Sequence, residues 1–248
     1  MDRLIYTSLS GMRGSMARQT STAHNLANVQ TPGFRGDLAE AQTLWLGGKN
    51  GHTTRSMGSE EVIGADMRAG TVSATGRDLD IAMNGEAMLM VQAPNGEMAY
   101  TRRGDLQLTS TGLLTTGDGN PVQGENGPLV IPPSSSMRID QEGRVWHVPI
   151  GGDPENPIQA DRLRLATPTG SDIVKGIDNL FRVRGGGVLP DDPEAKLITQ
   201  SLEGSNVSAT SALVEMIEAS KSWDNQLELI SNARDMDSAS ANLMQLPR

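Results

Sequence analysis

The sequence contains no cysteine and very few aromatic residues. Its 248 residues include two Phe, two Tyr and three Trp, so that aromatic side chains make up only 3%. Without cysteine the chain can form no disulfide, no thiolate metal site and no thiol nucleophile. The chain is long enough for one or two domains, but hydrophobic residues at 36% predict a lean core.

Clusters of basic residues and long apolar runs are also missing. The chain has 21 Lys and Arg against 30 Asp and Glu, a net charge of −9, and no basic cluster of the kind that binds nucleic acid. Ala87–Val91 is among the longest apolar runs, too short to cross a bilayer. The opening residues lack an apolar stretch, so we expect no cleaved signal peptide and no direct insertion into a membrane.

The motifs of common enzymes are absent as well. There is no Gly-X-Ser-X-Gly, no phosphate-binding glycine loop and no dinucleotide fingerprint. His24, His52 and His147 are far apart in the sequence, which argues against a metal site. Asp78 and Asp80 would share one face of a strand, but they follow a Gly-Arg turn that favours a solvated strand start. We predict no catalytic residue and no cofactor.

What the sequence does have is a helical pattern at each end. Apolar residues recur there at steps of three, four and seven, the spacing with which one helix packs against another. We therefore predict that the two terminal helices pair. The first pattern contains Ile5, Leu9, Met12, Met16 and Leu26, and the second contains Leu213, Met216, Ile217, Trp223, Leu227 and Ile230.

The middle of the chain is of a different kind. From Gly70 to about Gln200, short apolar runs alternate with turn signals such as Pro94-Asn95-Gly96, a pattern typical of a β-sandwich or barrel-like domain. The predicted fold class is α+β, with paired N- and C-terminal helices forming a coiled-coil-like core domain and an all-β domain inserted between them. The predicted boundaries are 1–36 plus 205–248 for the helical core, 37–69 for a connecting arm and 70–204 for the β-rich outer domain.

Several motifs resemble those of one family, the bacterial flagellar rod and hook proteins. Asn25–Arg35 is similar to the family's N-terminal signature, and Leu202–Val207 with Val214–Ala219 is similar to its C-terminal helix region. Similarities to the core-domain motifs occur in the family's order at Leu79–Ala82, Tyr100–Gly104 and Val122–Leu129. One departure is Ala87–Val91, where the family usually has a strand of the Gly-Phe-Phe type.

The resemblance implies a structural role and not an enzymatic one. The expected function is that of a rod subunit in the flagellar basal body, which polymerises through its terminal helices and transmits torque. The likeness is greatest to members from the proximal part of the rod. A distal rod or hook subunit is an alternative, and so is an enzyme acting on the cell wall, although the paired carboxylates or histidine site that it would need are missing.

The resemblance also implies partners and a location. The expected partners are other rod proteins, further copies of the chain and the flagellar type III export apparatus. The expected location is the rod, where it spans the periplasm.

Four residues outside the two helical patterns complete the predicted subunit interface. Gly33 and Phe34 would set the angle at which the chain leaves the first helix, and Asn28 belongs to the same signature. Trp45 is a candidate anchor at an interface, because Trp is enriched at binding hot spots. Packing of Trp45 on its own domain is an equal alternative.

The composition of the first helix generates a prediction about the free chain. Residues 2–29 include Gly11 and Gly14, together with four Ser and three Thr, all of which weaken a helix relative to Ala. In dilute solution, limited proteolysis should therefore trim both ends back to about Phe34 and Asn206. Termini that resist protease in the dilute monomer would contradict this expectation.

Overall fold

The protein forms two compact units in a computed structural model that describes residues 2–45 and 56–244, with side chains over 7–39 and 64–241. The helical unit comprises Met1–Ala27, Asp37–Gly64 and Val207–Arg248. The β unit comprises Asn28–Gly36 and Ala65–Asn206. The chain therefore passes repeatedly from one unit to the other.

The helical unit contains two helices and a pair of strands. These are α1 (Asp2–Ala27), β1 (Asp37–Trp45), β2 (Ser56–Ala65) and α2 (Ala209–Met244), with β1 hydrogen-bonded to β2. The end of α1 is tied to the start of β1. His24 Nδ1 lies 2.6 Å from Asp37 Oδ2. The Asn25 side chain accepts from the Asp37 backbone N–H at 2.7 Å and donates to its carbonyl oxygen at 3.0 Å.

Small and polar side chains make the contact between α1 and α2. Buried or half-buried positions recur every seven residues on each helix. The Ser15 and Ser222 hydroxyls are hydrogen-bonded at 3.0 Å, and a Cβ added to Gly11 would lie 2.8 Å from Gln226 Nε2. Gly11 lies against Gln226 and Ser15 against Ser222. Because the residue number falls along α2 as it rises along α1, the helices run antiparallel. The repeating positions are Ser8, Ser15 and Thr22 on α1, and Ala212, Ala219, Gln226 and Ala233 on α2.

The prediction of a coiled-coil-like core is therefore wrong. A coiled coil needs large apolar side chains that interlock across the helix contact. Here several large members of the predicted patterns point away from it: Met16 is 59% exposed and Leu227 is 46% exposed. Serine, alanine and glycine allow the helices to approach closely. Leu9, Met16, Leu213 and Leu227 of the predicted pattern each lie one position after a residue of the contact. The unit also contains the β1–β2 pair, so it is not built from helices alone.

The β unit consists of short strands. Their bounds are β3 (Val72–Ala74), β4 (Ile81–Met83), β5 (Met88–Gln92), β6 (Met98–Thr101), β7 (Leu106–Leu108), β8 (Leu114–Thr116), β9 (Gln123–Gly124), β10 (Gly127–Pro128), β11 (Ser134–Ile139), β12 (Arg144–Pro149), β13 (Ile158–Arg162), β14 (Leu165–Ala166), β15 (Ile173–Lys175), β16 (Phe181–Val183), β17 (Leu197–Thr199) and β18 (Ser201–Glu203).

Antiparallel pairing organises these strands into small sheets. The largest has five strands in the order β14-β5-β6-β16-β15, and a second has three in the order β11-β12-β13. The remaining strands form the pairs β3–β18, β4–β17, β7–β8 and β9–β10. The last two strands, β17 and β18, thus pair with the first two, β4 and β3, so that residues far apart in the sequence close the unit.

Two hydrophobic cores fill the β unit, and β5 lies between them. Leu89 and Val91 belong to the larger core, while Met88 and Met90 belong to the smaller one. Alternate residues of a strand point to opposite faces, so β5 is buried on both. This explains why a run of consecutive apolar residues, and not an alternating one, forms this strand. In the smaller core the buried Tyr100 hydroxyl accepts the backbone N–H of Leu189 at 2.6 Å.

Candidate subunit interface and chain-crossing cluster

The predicted interface residues on α1 are mainly exposed or partly exposed. Leu9 and Met16 are exposed, Leu26 is half-buried and Met12 is buried. Ile5 lies in the helix, but its side chain is outside the described residues, as is that of Trp45 in β1. Leu9 and Met16 each directly follow a serine of the helix contact.

The predicted residues on α2 show the same offset. Leu213 and Leu227 are exposed and directly follow Ala212 and Gln226 of the helix contact, and Ile217 is also exposed. The other three are half-buried at the border of the contact: Met216, Trp223 and Ile230.

Four of these residues, those that directly follow a contact residue, form one apolar side of the helix pair. One residue turns an α-helix by about 100° in the right-handed sense along its own direction. Because α1 and α2 are antiparallel, the step from each contact residue to its successor leads to the same side of the pair on both helices. We call this side the apolar side and define it by Leu9, Met16, Leu213 and Leu227. Ile217 lies two residues before Ala219 and therefore points away from α1.

The remaining predicted residues lie in the β unit. Asn28 Oδ1 accepts from Thr31 Oγ1 at 3.2 Å and from Asn179 Nδ2 at 3.4 Å. Phe34 is buried at 3% exposure, and the Lys175 ammonium lies 3.8 Å from the centre of its ring. Gly33 has a φ of +67°, and its N–H donates to the Glu203 carbonyl oxygen at 2.7 Å.

A buried carboxylate holds two arginines beside this segment. Glu203 Oε1 accepts from Arg35 Nη2 at 2.6 Å and from the Gly70 N–H at 2.9 Å, while its Oε2 accepts from Arg102 Nε at 2.8 Å. Arg102 also donates to three backbone carbonyls at 2.7–2.9 Å, those of Met83, Gly85 and Ala87. Arg35, Arg102 and Glu203 are at most 3% exposed.

Burial of Arg35 costs more free energy than burial of Arg102, because Arg35 has fewer hydrogen-bond acceptors. Its Nε and Nη1 are buried without an acceptor among the described residues, and each such donor costs about 1–3 kcal/mol. Burial lowers the pKa of the Arg35 guanidinium, and the Glu203 carboxylate opposes that shift. Glu203 is therefore the counter-charge on which the burial of both guanidinium groups depends.

Asn206 completes this arrangement through backbone contacts. Its Oδ1 accepts from the Gly36 N–H at 2.8 Å, and its Nδ2 donates to the carbonyl oxygens of Asp66 and Arg68 at 2.7 and 3.0 Å. Residues 33–36, 66–70 and 203–206 are thereby joined at the places where the chain enters or leaves the β unit. We call this group the chain-crossing cluster and define it by Gly33, Arg35, Arg102, Glu203 and Asn206.

The cluster unites three sequence motifs whose role the sequence alone did not reveal. Arg35, Arg102 and Glu203 come from the N-terminal, core and C-terminal motifs. Their opposite charges were the only available signal, because nothing in the sequence placed them together. Within residues 7–39 and 64–241, no three His, Asp or Glu side chains lie together in a group that could hold a metal ion. Over the described residues, neither helix is long and apolar enough to span a membrane.

Gly33→Ala should destabilise the protein much more than Gly119→Ala. Both glycines have positive φ, +67° and +83°, a conformation that costs a residue with a Cβ about 1–2 kcal/mol. At Gly33 the new Cβ would also overlap the Arg102 carbonyl oxygen, whereas Gly119 faces open space. Urea unfolding should show about 1–2 kcal/mol lost for Gly119→Ala and about 2–5 kcal/mol for Gly33→Ala. Equal losses would contradict the close contact.

Glu203→Gln should destabilise the β unit by about 3–5 kcal/mol, because it leaves two buried guanidinium groups without their counter-charge. The matched control is Glu142→Gln. Glu142 accepts from Arg144 at 2.9 Å in an exposed ion pair, and loss of such a pair costs about 0–1 kcal/mol. Denaturant unfolding of both variants measures the difference. A loss below 1 kcal/mol for Glu203→Gln would show that the cluster contributes no more than a surface pair.

Comparison with known proteins identifies the chain's relatives. Residues 82–147 match the family model described as the flagellar hook protein FlgE/F/G D1 domain. Residues 198–243 match that of the flagellar basal body rod FlgEFG protein C-terminal region.

Individual relatives extend over nearly the whole chain. The flagellar basal-body rod protein FlgF of Escherichia coli (strain K12) is 36% identical over 242 residues, covering 95% of each chain. FlgF of Salmonella typhimurium is 33% identical, covering 99% of this chain and all of the relative. FlgG of Bacillus subtilis (strain 168) is 29% identical, covering 98% of this chain and 99% of the relative. These relatives confirm the prediction of a structural rod protein and not an enzyme. The chain belongs to the family of flagellar basal-body rod proteins.

Proposed function

We propose that this rod subunit assembles through the apolar side of its helix pair, in the proximal part of the rod. Its partners are other rod and hook proteins and further copies of itself. It reaches the rod through the flagellar type III export apparatus and lies in the part of the rod that spans the periplasm. The apolar side is the one observation on which the assembly proposal depends.

The exposure of the apolar side supports this role. Leu9, Met16, Leu213 and Leu227 are each between 39% and 59% exposed. Large apolar side chains collected on one side of a helix pair are typical of a surface that another protein covers. Burying the exposed part of each would stabilise an assembled state by about 1 kcal/mol per side chain.

The separation of the two kinds of contact supports it further. Within one chain the helices meet through Ser15, Ser222 and Gln226. This contact leaves the large side chains of the apolar side exposed. Pairing of the two helices within one chain therefore leaves these side chains available to a neighbour. The same apolar side can then be buried against neighbouring subunits, and the small residues of the helix contact keep the pair thin enough for close packing.

The β unit is suited to bearing load. Its first and last strands pair with each other, and the chain-crossing cluster joins the segments through which the chain enters and leaves it. Force applied to any of these segments therefore acts on hydrogen bonds and buried ion pairs that also hold the others. We assign to this unit the resistance to torque that a rod requires.

Leu227→Asp should block incorporation into the rod without unfolding the free chain. Leu227 is 46% exposed in the single chain, so a carboxylate there stays hydrated until a neighbour covers it. In the assembly, burial of the unpaired charge would cost several kcal/mol. The assay is swimming motility and recovery of the chain in isolated basal bodies, with thermal melting of each purified variant.

Asn225→Asp is the control for this experiment. Asn225 is exposed and precedes Gln226 of the helix contact, so it lies on the side opposite the apolar side. It should assemble normally. Ser222→Asp would be a poor control, because Ser222 is hydrogen-bonded to Ser15. Normal rods from Leu227→Asp would show that the apolar side faces solvent in the assembly, and the proposal would fail.

A further inference from the structure

The two helices carry opposite charge. Over residues 7–27 of α1 the charged side chains are Arg13 and Arg18, with no carboxylate, which gives +2. Over 209–244 α2 has two cations, Lys221 and Arg234, and six carboxylates, a net charge of 2 − 6 = −4. The carboxylates are Glu215, Glu218, Asp224, Glu228, Asp235 and Asp237.

Two of these charges lie at the same level on opposite outer edges of the helix pair. Arg13 is midway between Gly11 and Ser15, and Asp224 is midway between Ser222 and Gln226. Gly11 faces Gln226, and Ser15 is bonded to Ser222, so Arg13 and Asp224 are level.

These two charges also point away from each other within one chain. Two residues turn a helix by about 200°. Arg13 therefore points away from α2, and Asp224 points away from α1.

Neither charge is neutralised within its own chain. Arg13, Asp224 and Glu228 are all exposed. Each of them lacks an ion pair among the side chains that the structure describes over 7–39 and 64–241. Glu228 lies one turn beyond Asp224 on the same edge and adds a second carboxylate, while Lys221 lies one turn before it. The α2 edge around Asp224 is therefore acidic overall, and the α1 edge at the same height presents a guanidinium.

We propose that helix pairs of successive copies of this chain dock edge to edge, with Arg13 of one copy against Asp224 of the next. The proposal rests on the assembly role of the helical unit and adds its partner and its register. A copy placed beside the pair presents its basic α1 edge to the acidic α2 edge at the same height. The two surfaces differ, so the contact is heterologous and can continue from copy to copy. Charge complementarity of this kind fixes the register of an interface and rejects wrong alignments.

A charge exchange tests this contact. Full-length variants are expressed in a strain that lacks its own copy of the gene. Arg13→Asp and Asp224→Arg each place like charges at the contact and should reduce recovery of the chain in isolated rods by at least roughly tenfold. The double variant Arg13→Asp with Asp224→Arg restores one charge of each sign to every contact and should recover assembly. Glu218→Arg makes the same change as Asp224→Arg on the side opposite the apolar side and should assemble normally.

Cross-linking tests the same contact without reliance on charge. The chain has no cysteine, so introduced thiols report only their own neighbourhood. Rods containing Arg13→Cys with Asp224→Cys should give ladders of disulfide-linked chains on oxidation, because a disulfide joins Cα atoms roughly 4.4–6.8 Å apart. Rods containing Arg13→Cys with Glu218→Cys should give none.

The outcomes separate this inference from the assembly proposal. A double charge exchange that assembles no better than the single variants overturns the edge contact, and so do rods that contain the chain but form no ladder. If Leu227→Asp still blocks assembly in those experiments, the apolar side remains the assembly surface and only the edge contact is wrong. If Leu227→Asp also assembles normally, the assembly proposal itself fails.

Discussion

The contact between α1 and α2 determines what the rest of the helical unit can do. It uses serine, alanine, glycine and one glutamine, with Ser15 hydrogen-bonded to Ser222 and Gln226 lying over Gly11. These small side chains bury less apolar area than a seam of Leu and Ile would, so they contribute less to the stability of the free chain. Its consequence is that Leu9, Met16, Leu213 and Leu227 remain on one open side of the helix pair. A contact built from those side chains would have stabilised the single chain and left nothing for a neighbour.

The β unit is held together at its chain crossings by buried ion pairs. One carboxylate, Glu203, forms ion pairs with both Arg35 and Arg102 in a site that is closed to water. Buried ion pairs of this kind contribute little net stability compared with apolar packing, but they fail severely when one partner is removed. They also specify geometry, since each charge must meet its partner. The ion pairs of Glu203 and the backbone hydrogen bonds of Asn206 together hold three distant segments of the chain in one arrangement.

The sequence predicted the helices but misplaced the surface by which they meet. Heptad spacing located the apolar residues at Leu9, Met16 and Leu227, but periodicity shows only that they share a face, not which partner covers that face. The residues directly before them, Ser8, Ser15 and Gln226, make the contact instead. The chain-crossing cluster was equally hidden, because Arg35, Arg102 and Glu203 are brought together by strand pairing over more than a hundred residues. For β5, the sequence shows a run of consecutive apolar residues, but it does not show that the two faces of the strand pack into different cores.

The central claim is that the apolar side is open in the free chain and covered in the rod. The most direct measurement is thiol labelling of Leu227→Cys and Asn225→Cys, which the absence of native cysteine makes specific. Both thiols should react quickly with a maleimide in the free chain. In isolated rods that contain these variants, Leu227→Cys should be protected while Asn225→Cys still reacts. Equal labelling of the two positions in rods would contradict the account.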